Sequence, residues 1–419
     1  MPHKLNHSSD CRKLLLAIAG IAAAAVPMIT GRMSVLAQTQ TASTPVLSFE
    51  IASIKADHSR ATFPSPRIKP AVEGVLDLFN QKAVVALGDY HGLAQEEAFY
   101  IALIRDPEFA EKVGNVVVEF GGEGAQDIID RYVAGENVPL TELRRVWTDT
   151  VGWYPGPASL GYVNFFANVR AANLKLPPEH RIKVWLGDPS IDWSKINSFR
   201  DLQPYLARRD DNMFRIISDE ILKKHKKMLV IVGSGHLFGP REVPTLSTKI
   251  DKTYPNMLAV VVPFIGYIEP RCNAKFVSRA KDWPVPAVAG PVGGTWLKSE
   301  LSLPGCNFIS PEHVERIKNM PKPPPGARWM GPGMPPSVAD RIDAEISTLS
   351  GANADAILYL GPPDTLMESP IDPNIYLDPD YFKEENRRQQ CCNPFGKPLD
   401  WDEILQLESL ISKKLQVSR

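Results

Sequence analysis

Residues 86–92 read ALGDYHG, and this stretch places an acid and a histidine directly after a run of apolar residues. A turn at the end of a strand requires neither Asp89 nor His91. A comparable combination comes later in GSGHLFG, where Ser234 and His236 follow another apolar run. Because a neutral imidazole beside a carboxylate can take a proton from water, the two stretches are candidates for parts of one catalytic site.

Further polar residues stand at the ends of other apolar runs. Glu119 lies inside VVVEFGG, Asp188 follows Gly187, and Tyr359 ends the core of AILYLG. A carboxylate inside an apolar run needs a partner or a raised pKa, which makes Glu119 the most unusual of them. Ligands of open parallel sheets bind beyond the carboxyl ends of the strands, so we expect these side chains to converge there.

This convergence suggests a hydrolytic site. His91 would be the general base, Asp89 and Glu119 would orient it, and His236 would bind the developing oxyanion or protonate the leaving group. Such a set suits attack of water on an ester or similar bond without a covalent intermediate. His91, Glu119 and His236 are equally a ligand set for Zn, Mn or non-haem Fe, and the residues alone do not separate the two. The expected substrate-binding residues are Asp188, Tyr90, Ser234 and Tyr359.

Six short apolar runs, rich in Val and Ile, predict the strands that position these residues. Helical patterns lie between them at 93–104, 125–135, 159–176 and 214–227. The alternation predicts an α/β fold, with a mostly parallel central sheet of about five or six strands flanked by helices on both faces. The six runs are AVVALG (83–88), NVVVEFG (115–121), IKVWLG (182–187), MLVIVGSG (228–235), LAVVVP (258–263) and AILYLG (356–361).

The first 37 residues have the order of a secretory signal peptide. Lysine and arginine precede LLLAIAGIAAAAV, and VLA provides small residues for cleavage after Ala37. We therefore expect export to the periplasm or the medium, with no membrane span after cleavage. An uncleaved anchor is the alternative.

The rest of the chain divides into three predicted parts. Residues 38–70 form a leader or linker, 71–265 the α/β core, and 266–419 a C-terminal extension that contributes the core strand at 356–361 and a terminal helix at 401–415. Within the extension, residues 319–337 are rich in proline and cannot be helix or central strand. This segment is expected to be a surface connector, with an arm over a cleft as the alternative.

The net charge bears on the class of partner, and the cysteine content bears on the disulfide bonds. The formal net charge of the 419 residues is −1, so no excess of basic residues favours a nucleic-acid or acidic-membrane partner. The expected partner is a small-molecule substrate or haem. Removal of the signal peptide leaves four cysteines, for which an oxidising compartment allows three pairings. Because a bond between adjacent cysteines is strained, we expect Cys391 and Cys392 to pair with Cys272 and Cys306, with free thiols as the alternative. No zinc-finger spacing is present.

The order of these motifs resembles the superfamily that joins the erythromycin esterases and the ChaN-like haem-binding proteins. Gly88, His91, Glu119 and His236 match its sequence of glycine, histidine, a second acid and a later Gly-x-Gly-His, over roughly residues 75–265. Asp89 replaces the family glutamate, and the G-D-x-H spacing is that of the ChaN-like branch. The resemblance implies either a hydrolase or a haem- or metal-binding protein without turnover, with haem bound through a residue such as Tyr90.

Overall fold

The computed structural model describes residues 63–151, 159–238, 244–319, 349–370, 372 and 378–392, together with Ile342 and Ile346. The predicted signal peptide, most of the leader, the proline-rich segment beyond 319 and the terminal helix at 401–415 lie outside these residues. In the part of the chain that is described, no helix combines the length and the apolar character needed to cross a membrane.

The described residues form a mixed sheet of eight strands. In chain order they are β1 (Arg67–Pro70), β2 (Val84–Asp89), β3 (Asn115–Gly122), β4 (Lys183–Asp188), β5 (Met228–Gly233), β6 (Leu258–Pro263), β7 (Ala287–Gly290) and β8 (Ala356–Tyr359). Side by side they run β1-β7-β8-β6-β2-β5-β3-β4. Each of the six predicted runs is a strand, and these six are mutually parallel, which confirms the predicted fold class.

The sheet is extended at one edge by two short strands that the sequence did not reveal. β1 and β7 pair with each other antiparallel, and β7 pairs antiparallel with β8. The end of the predicted leader, residues 67–70, is therefore part of the sheet. With four residues each, these strands carry too little pattern to be recognised from periodicity.

Helices cover both faces of the sheet. In chain order they are α1 (Ala71–Leu78), α2 (Ala94–Arg105), α3 (Pro107–Lys112), α4 (Gln126–Ala134), α5 (Leu140–Leu143), α6 (Arg145–Thr148), α7 (Leu160–Asn173), α8 (Phe199–Leu206), α9 (Arg209–Ile216), α10 (Leu246–Thr253), α11 (Pro270–Ala280), α12 (Trp296–Glu300), α13 (Pro311–Asn319) and α14 (Pro379–Cys392). The predicted helix at 214–227 begins earlier, as α9, and continues as a π-helical turn over Ile217–Ile221.

The strands are buried on both faces, as their continuous apolar runs predict. Val85 and Leu87 of β2 face a cluster that includes side chains of α2, α4 and α7. Val84 and Ala86 face the opposite side, where α9 and α10 supply the covering residues. This double coverage leaves the carboxyl ends of the strands as the place where polar side chains gather.

The disulfides differ from the predicted pairing. Cys272 is bonded to Cys306, with their Cα atoms 5.9 Å apart, and Cys391 is bonded to its neighbour Cys392. The prediction that Cys391 and Cys392 reach back to the other two was wrong. Cys272 lies in α11, beside the loop that carries Cys306, whereas Cys392 packs against a separate cluster that contains Trp193.

Candidate functional site

The end of β2 forms a fixed pair of an acid and a histidine. His91 Nδ1 lies 2.8 Å from Asp89 Oδ2. Asp89 also accepts hydrogen bonds from two buried phenols, Tyr100 at 2.8 Å and Tyr162. A carboxylate with three donors has little freedom to move, so Asp89 fixes both the position of the imidazole and the ring nitrogen that carries the proton.

His91 is the exposed member of this pair, since 41% of its side chain is accessible to solvent while Asp89 is buried. Desolvation lowers the pKa of His91, but the hydrogen bond with Asp89 and the negative charges of Glu119 and Asp89 outweigh it. The pKa therefore lies above its usual 6.5. An accessible imidazole with a buried carboxylate behind it is the arrangement of a general acid–base catalyst.

Glu119, at the end of β3, is an ionised carboxylate held from several sides. It accepts hydrogen bonds from the Arg209 guanidinium and from the backbone N–H of Gly233, and His236 Nε2 lies 3.3 Å from Glu119 Oε1. Burial raises the pKa of Glu119, but the charges of Arg209 and His236 outweigh burial and hold the pKa well below its usual range.

His236 is a buried cation rather than a residue of the cavity wall. Its Nδ1 pairs with Asp210 and its Nε2 faces Glu119. Burial lowers the pKa of His236, yet the charges of Glu119 and Asp210 raise it to about 10. With both ring nitrogens directed at carboxylates, His236 stabilises the charge of Glu119. Its predicted direct contact with a leaving group or oxyanion does not agree with this placement.

Gly233 has no side chain, and this lets His91 and Glu119 approach each other. A Cβ atom there would lie 2.8 Å from His91 Nε2 and 3.2 Å from Glu119 Oε2. The His91 ring thus lies over the Gly233 backbone, on the same side as Glu119. Because β2, β5 and β3 are neighbours in the sheet, Asp89, His91, Glu119 and His236 converge as the sequence indicated.

A cavity of about 290 Å³ opens beside His91. Tyr90 and Ser234, two of the predicted substrate-binding residues, line it. Asp188 does not, because it is fully buried and binds Arg209 Nε at 2.7 Å and Thr150 Oγ1 at 2.6 Å. Tyr359 is also buried.

The Tyr359 ring packs with Phe276 and Trp283 in the aromatic core under α11. Neither of these two residues lines the cavity at His91, where the sequence predicts that they contact substrate: Asp188 anchors Arg209, and Tyr359 fills the core.

Two acidic residues of α2 lie beneath the His91 pair. Glu96 accepts a hydrogen bond from the Tyr90 backbone at 2.9 Å, and Glu97 accepts one from Ser159. Burial raises the pKa of Glu96 well above its usual value and that of Glu97 to about 7. The raised pKa favours the neutral form of Glu96, and this form lessens the repulsion between Glu96 and Asp89.

The residues do not fit a metal ion. No group of three His, Cys, Asp or Glu side chains in the described ranges is arranged to hold one. The carboxylate of Glu119 is already shared by Arg209, Gly233 and His236, and the two cations repel a third. Tyr90, the residue through which the resemblance implies haem binding, lines the cavity at His91.

Sequence reasoning missed four residues that hold the site together. Arg209 and Asp210 stand at the start of α9, in a segment whose charged residues resemble an ordinary solvated helix end. Tyr100 and Tyr162 lie on helices α2 and α7 at apolar positions, where a phenol is indistinguishable from a core residue. Only the fold shows that these helices aim them at Asp89 and Glu119.

A larger cleft of about 590 Å³ lies elsewhere, between α14 and residues 191–197. Its arginines are occupied by neighbouring groups. Arg387 and Arg388 both bind Glu384, and Arg388 donates to the carbonyl oxygen of Thr148 at 2.6 Å. With opposite charges already paired across it, this cleft offers fewer groups for chemistry than the cavity at His91.

No family model and no curated protein matches this chain. Solved structures similar to it include three bacterial proteins. The MARTX toxin effector domain RRSP of Vibrio vulnificus CMCP6 has 17% identity and a TM-score of 0.32, over 46% of this chain and 36% of that one. The type III effector HopBA1 has 13% identity and a TM-score of 0.29, over 47% and 86%.

The third is the C-terminal region of Pasteurella multocida toxin, described as carrying a thiol-protease-like catalytic triad. It has 14% identity and a TM-score of 0.33, over 46% of this chain and 25% of that one. In two further structures, both described as bacterial protein toxins, the matched region spans 36% of the length of their chains. TM-scores near 0.3 define no activity for this chain, so its function has to be argued from its own site.

Proposed function

We propose that this chain is an exported hydrolase that directs water at an ester or a similar acyl bond, as the resemblance to the erythromycin esterase/ChaN-like superfamily implies. The observation that carries the proposal is the Asp89–His91 pair. Its buried carboxylate is held by two tyrosines, and its accessible imidazole stands at the wall of a cavity.

In the first step, a water oxygen forms a bond to the acyl carbon, the π electron pair of the carbonyl moves to its oxygen to give a tetrahedral oxyanion, and His91 Nε2 takes a proton from the water. Asp89 accepts the hydrogen bond from Nδ1–H and stabilises the imidazolium that results. In the second step the oxyanion re-forms the carbonyl, the bond to the leaving group breaks, and His91 returns the proton to the departing oxygen or nitrogen. Glu119, with Arg209 and His236, supplies a fixed charge on the inner side of the His91 ring.

The proposal predicts a definite pH dependence. A general base must be neutral to accept a proton, and the pKa of His91 is raised above 6.5. The rate should therefore be low at acidic pH and rise as pH passes through a value above 6.5. His236 stays protonated over this range because its pKa is about 10.

The test is hydrolysis of p-nitrophenyl butyrate by the full chain and by His91→Ala, with His180→Ala as the matched control. His180 is an exposed histidine outside the cavity. We expect His91→Ala to lose at least about 100-fold in kcat/KM, because general acid–base catalysis contributes about 10²–10⁴-fold. Equal activity in both variants would refute the assignment of His91.

Metal and haem binding are the competing outcomes. Elemental analysis of unwashed protein tests for a bound metal, and titration with haemin tests for a Soret shift. A stoichiometric metal, or a Soret shift that His91→Ala abolishes, without ester hydrolysis in the wild type, would replace the hydrolase proposal.

A further inference from the structure

The described residues that line the cavity at His91 are of two chemical kinds. A polar side comprises His91, the Ser234 hydroxyl and the backbone of Gly233 to Gly235. An apolar side comprises Pro263, Ile265 and Leu349. This lining suits a ligand that carries both a polar and an apolar group.

The Ser234 hydroxyl is the unexplained group of the polar side. Ser234 is 92% buried (8% exposed), and its Oγ has no hydrogen-bond partner among the residues that the structure describes. A Cβ at Gly88 would collide with this oxygen, so glycine at 88 makes its place available. Because a hydroxyl that a ligand covers is costly to leave without a partner, Oγ is suited to donate a hydrogen bond to a ligand in the cavity.

The charges around the cavity select against anions. Of the described residues that line it, none is lysine or arginine, and Asp89 is a carboxylate. The Arg209 guanidinium lies deeper and is already bound by Glu119 and Asp188. At a pH where His91 is neutral, an acidic ligand would thus find no lysine or arginine among the described lining residues to offset its desolvation, whereas a neutral carbonyl needs only a donor.

The volume favours a small ligand. At about 290 Å³, the cavity lies at the lower end of the range of about 300–1,000 Å³ that small-molecule sites occupy. A short alkyl chain has the apolar side chains of Pro263 and Ile265 to pack against.

We propose that this cavity is an acyl subsite for short, neutral acyl groups of about four carbons, with the acyl carbonyl oxygen bound by Ser234 Oγ and the alkyl chain against Pro263, Ile265 and Leu349. The inference rests on the proposed hydrolase function and adds the substrate class. Ser234 is a substrate-binding residue here and forms no covalent bond; water remains the nucleophile.

The experiment compares p-nitrophenyl acetate, butyrate, octanoate and hemisuccinate as substrates of the full chain. We expect kcat/KM to be highest for butyrate and lower for octanoate and for the negatively charged hemisuccinate. Ser234→Ala should lower kcat/KM for butyrate by roughly tenfold to a hundredfold, the value of one buried hydrogen bond to a developing charge. Its pH profile should keep the wild-type midpoint, because His91 is untouched. The control is Ser194→Ala, an exposed serine outside the cavity.

A binding measurement separates this inference from the hydrolase proposal. Butyramide binding is followed by saturation-transfer NMR in wild type and in Ser234→Ala. If no ester is hydrolysed but butyramide binds and Ser234→Ala weakens it, the hydrolase proposal fails and the acyl subsite stands. If esters are hydrolysed but octanoate or hemisuccinate is preferred, or Ser234→Ala behaves like Ser194→Ala, the acyl subsite is refuted and the hydrolase stands.

Discussion

The buried guanidinium of Arg209 offers the sharpest test of how the site is held together. It binds Glu119 through Nη2 and Asp188 through Nε, and all three side chains are less than 10% exposed. Arg209→Met keeps much of the volume and removes the charge, so two buried carboxylates lose their cation in one substitution.

The size of the effect follows from these contacts. Two charge-assisted hydrogen bonds contribute about 1.5–3 kcal/mol each, and breaking a buried ion pair by removing one partner costs about 3–5 kcal/mol. Glu119 keeps His236 and the Gly233 N–H, and Asp188 keeps Thr150, so we expect a loss of about 3–5 kcal/mol in the free energy of unfolding. With a urea slope of about 1–3 kcal/mol per molar, the unfolding midpoint should fall by at least about 1 M.

The matched control is Arg215→Met. Arg215 lies on the same helix, but its pair with Glu123 is at the surface, where 48% and 36% of the two side chains are exposed. Exposed pairs contribute about 0–1 kcal/mol, so its urea midpoint should move little. The assay is urea unfolding at pH 7 and pH 5, followed by tryptophan fluorescence.

The pH dependence of the stability loss is a second test of the role of Arg209. In wild type the pKa of Glu119 is held well below its usual range, so its stabilisation is present above the unfolded pKa and is lost only as pH falls through the lower folded value. Without Arg209, desolvation raises the pKa of Glu119, and the folded variant takes up a proton between pH 7 and pH 5. The loss in the free energy of unfolding caused by Arg209→Met should therefore be smaller at pH 5 than at pH 7. An equal loss in the two variants at pH 7, or a deficit that grows at pH 5, would refute the reasoning.

Three further predictions concern other parts of the molecule. Gly233→Ala should displace the His91 ring, because its Cβ would lie 2.8 Å from Nε2; ester hydrolysis should fall while circular dichroism stays unchanged. Tyr162→Phe removes one donor from Asp89, so the charge of Asp89 acts more strongly on His91, and NMR titration should show a higher pKa for His91 than in wild type; an unchanged or lower value would contradict this. Cys272→Ser with Cys306→Ser opens a loop with a sequence separation of 34, and thermal unfolding should show a loss of about 2–4 kcal/mol that reduction of the wild type reproduces.

The parallel strands could be predicted because each is a continuous run of β-branched residues ended by a glycine or proline. Their polar ends could be predicted to converge because the carboxyl ends of parallel strands share one edge. Asp89, His91 and Glu119 were found in this way. The strand order was not encoded locally, and β8 lies two positions from β2, so Tyr359 belongs to a different part of the sheet edge.

The groups that set the charge state of the site could not be predicted, because they reach it from helices. Arg209 and Asp210 are separated from Glu119 by about ninety residues, and nothing in a charged helix start distinguishes a buried pair from a solvated one. The role of His236 could not be predicted either. A histidine that follows a strand indicates a catalytic residue, but His236 lies between the carboxylates of Asp210 and Glu119, which make it a structural cation. The disulfide pairing likewise depends on which cysteines the fold brings close together, and the spacing of cysteines along the sequence does not show this.

The first two residues of α9 have opposite charges and different partners: Arg209 binds Glu119 and Asp188, and Asp210 pairs with His236. If this turn moved away from the sheet, Glu119 would lose its cation and His236 its anion at the same moment. Partial opening of the site is therefore unfavourable, and amide exchange at the start of α9 and at the end of β5 should report a single opening event.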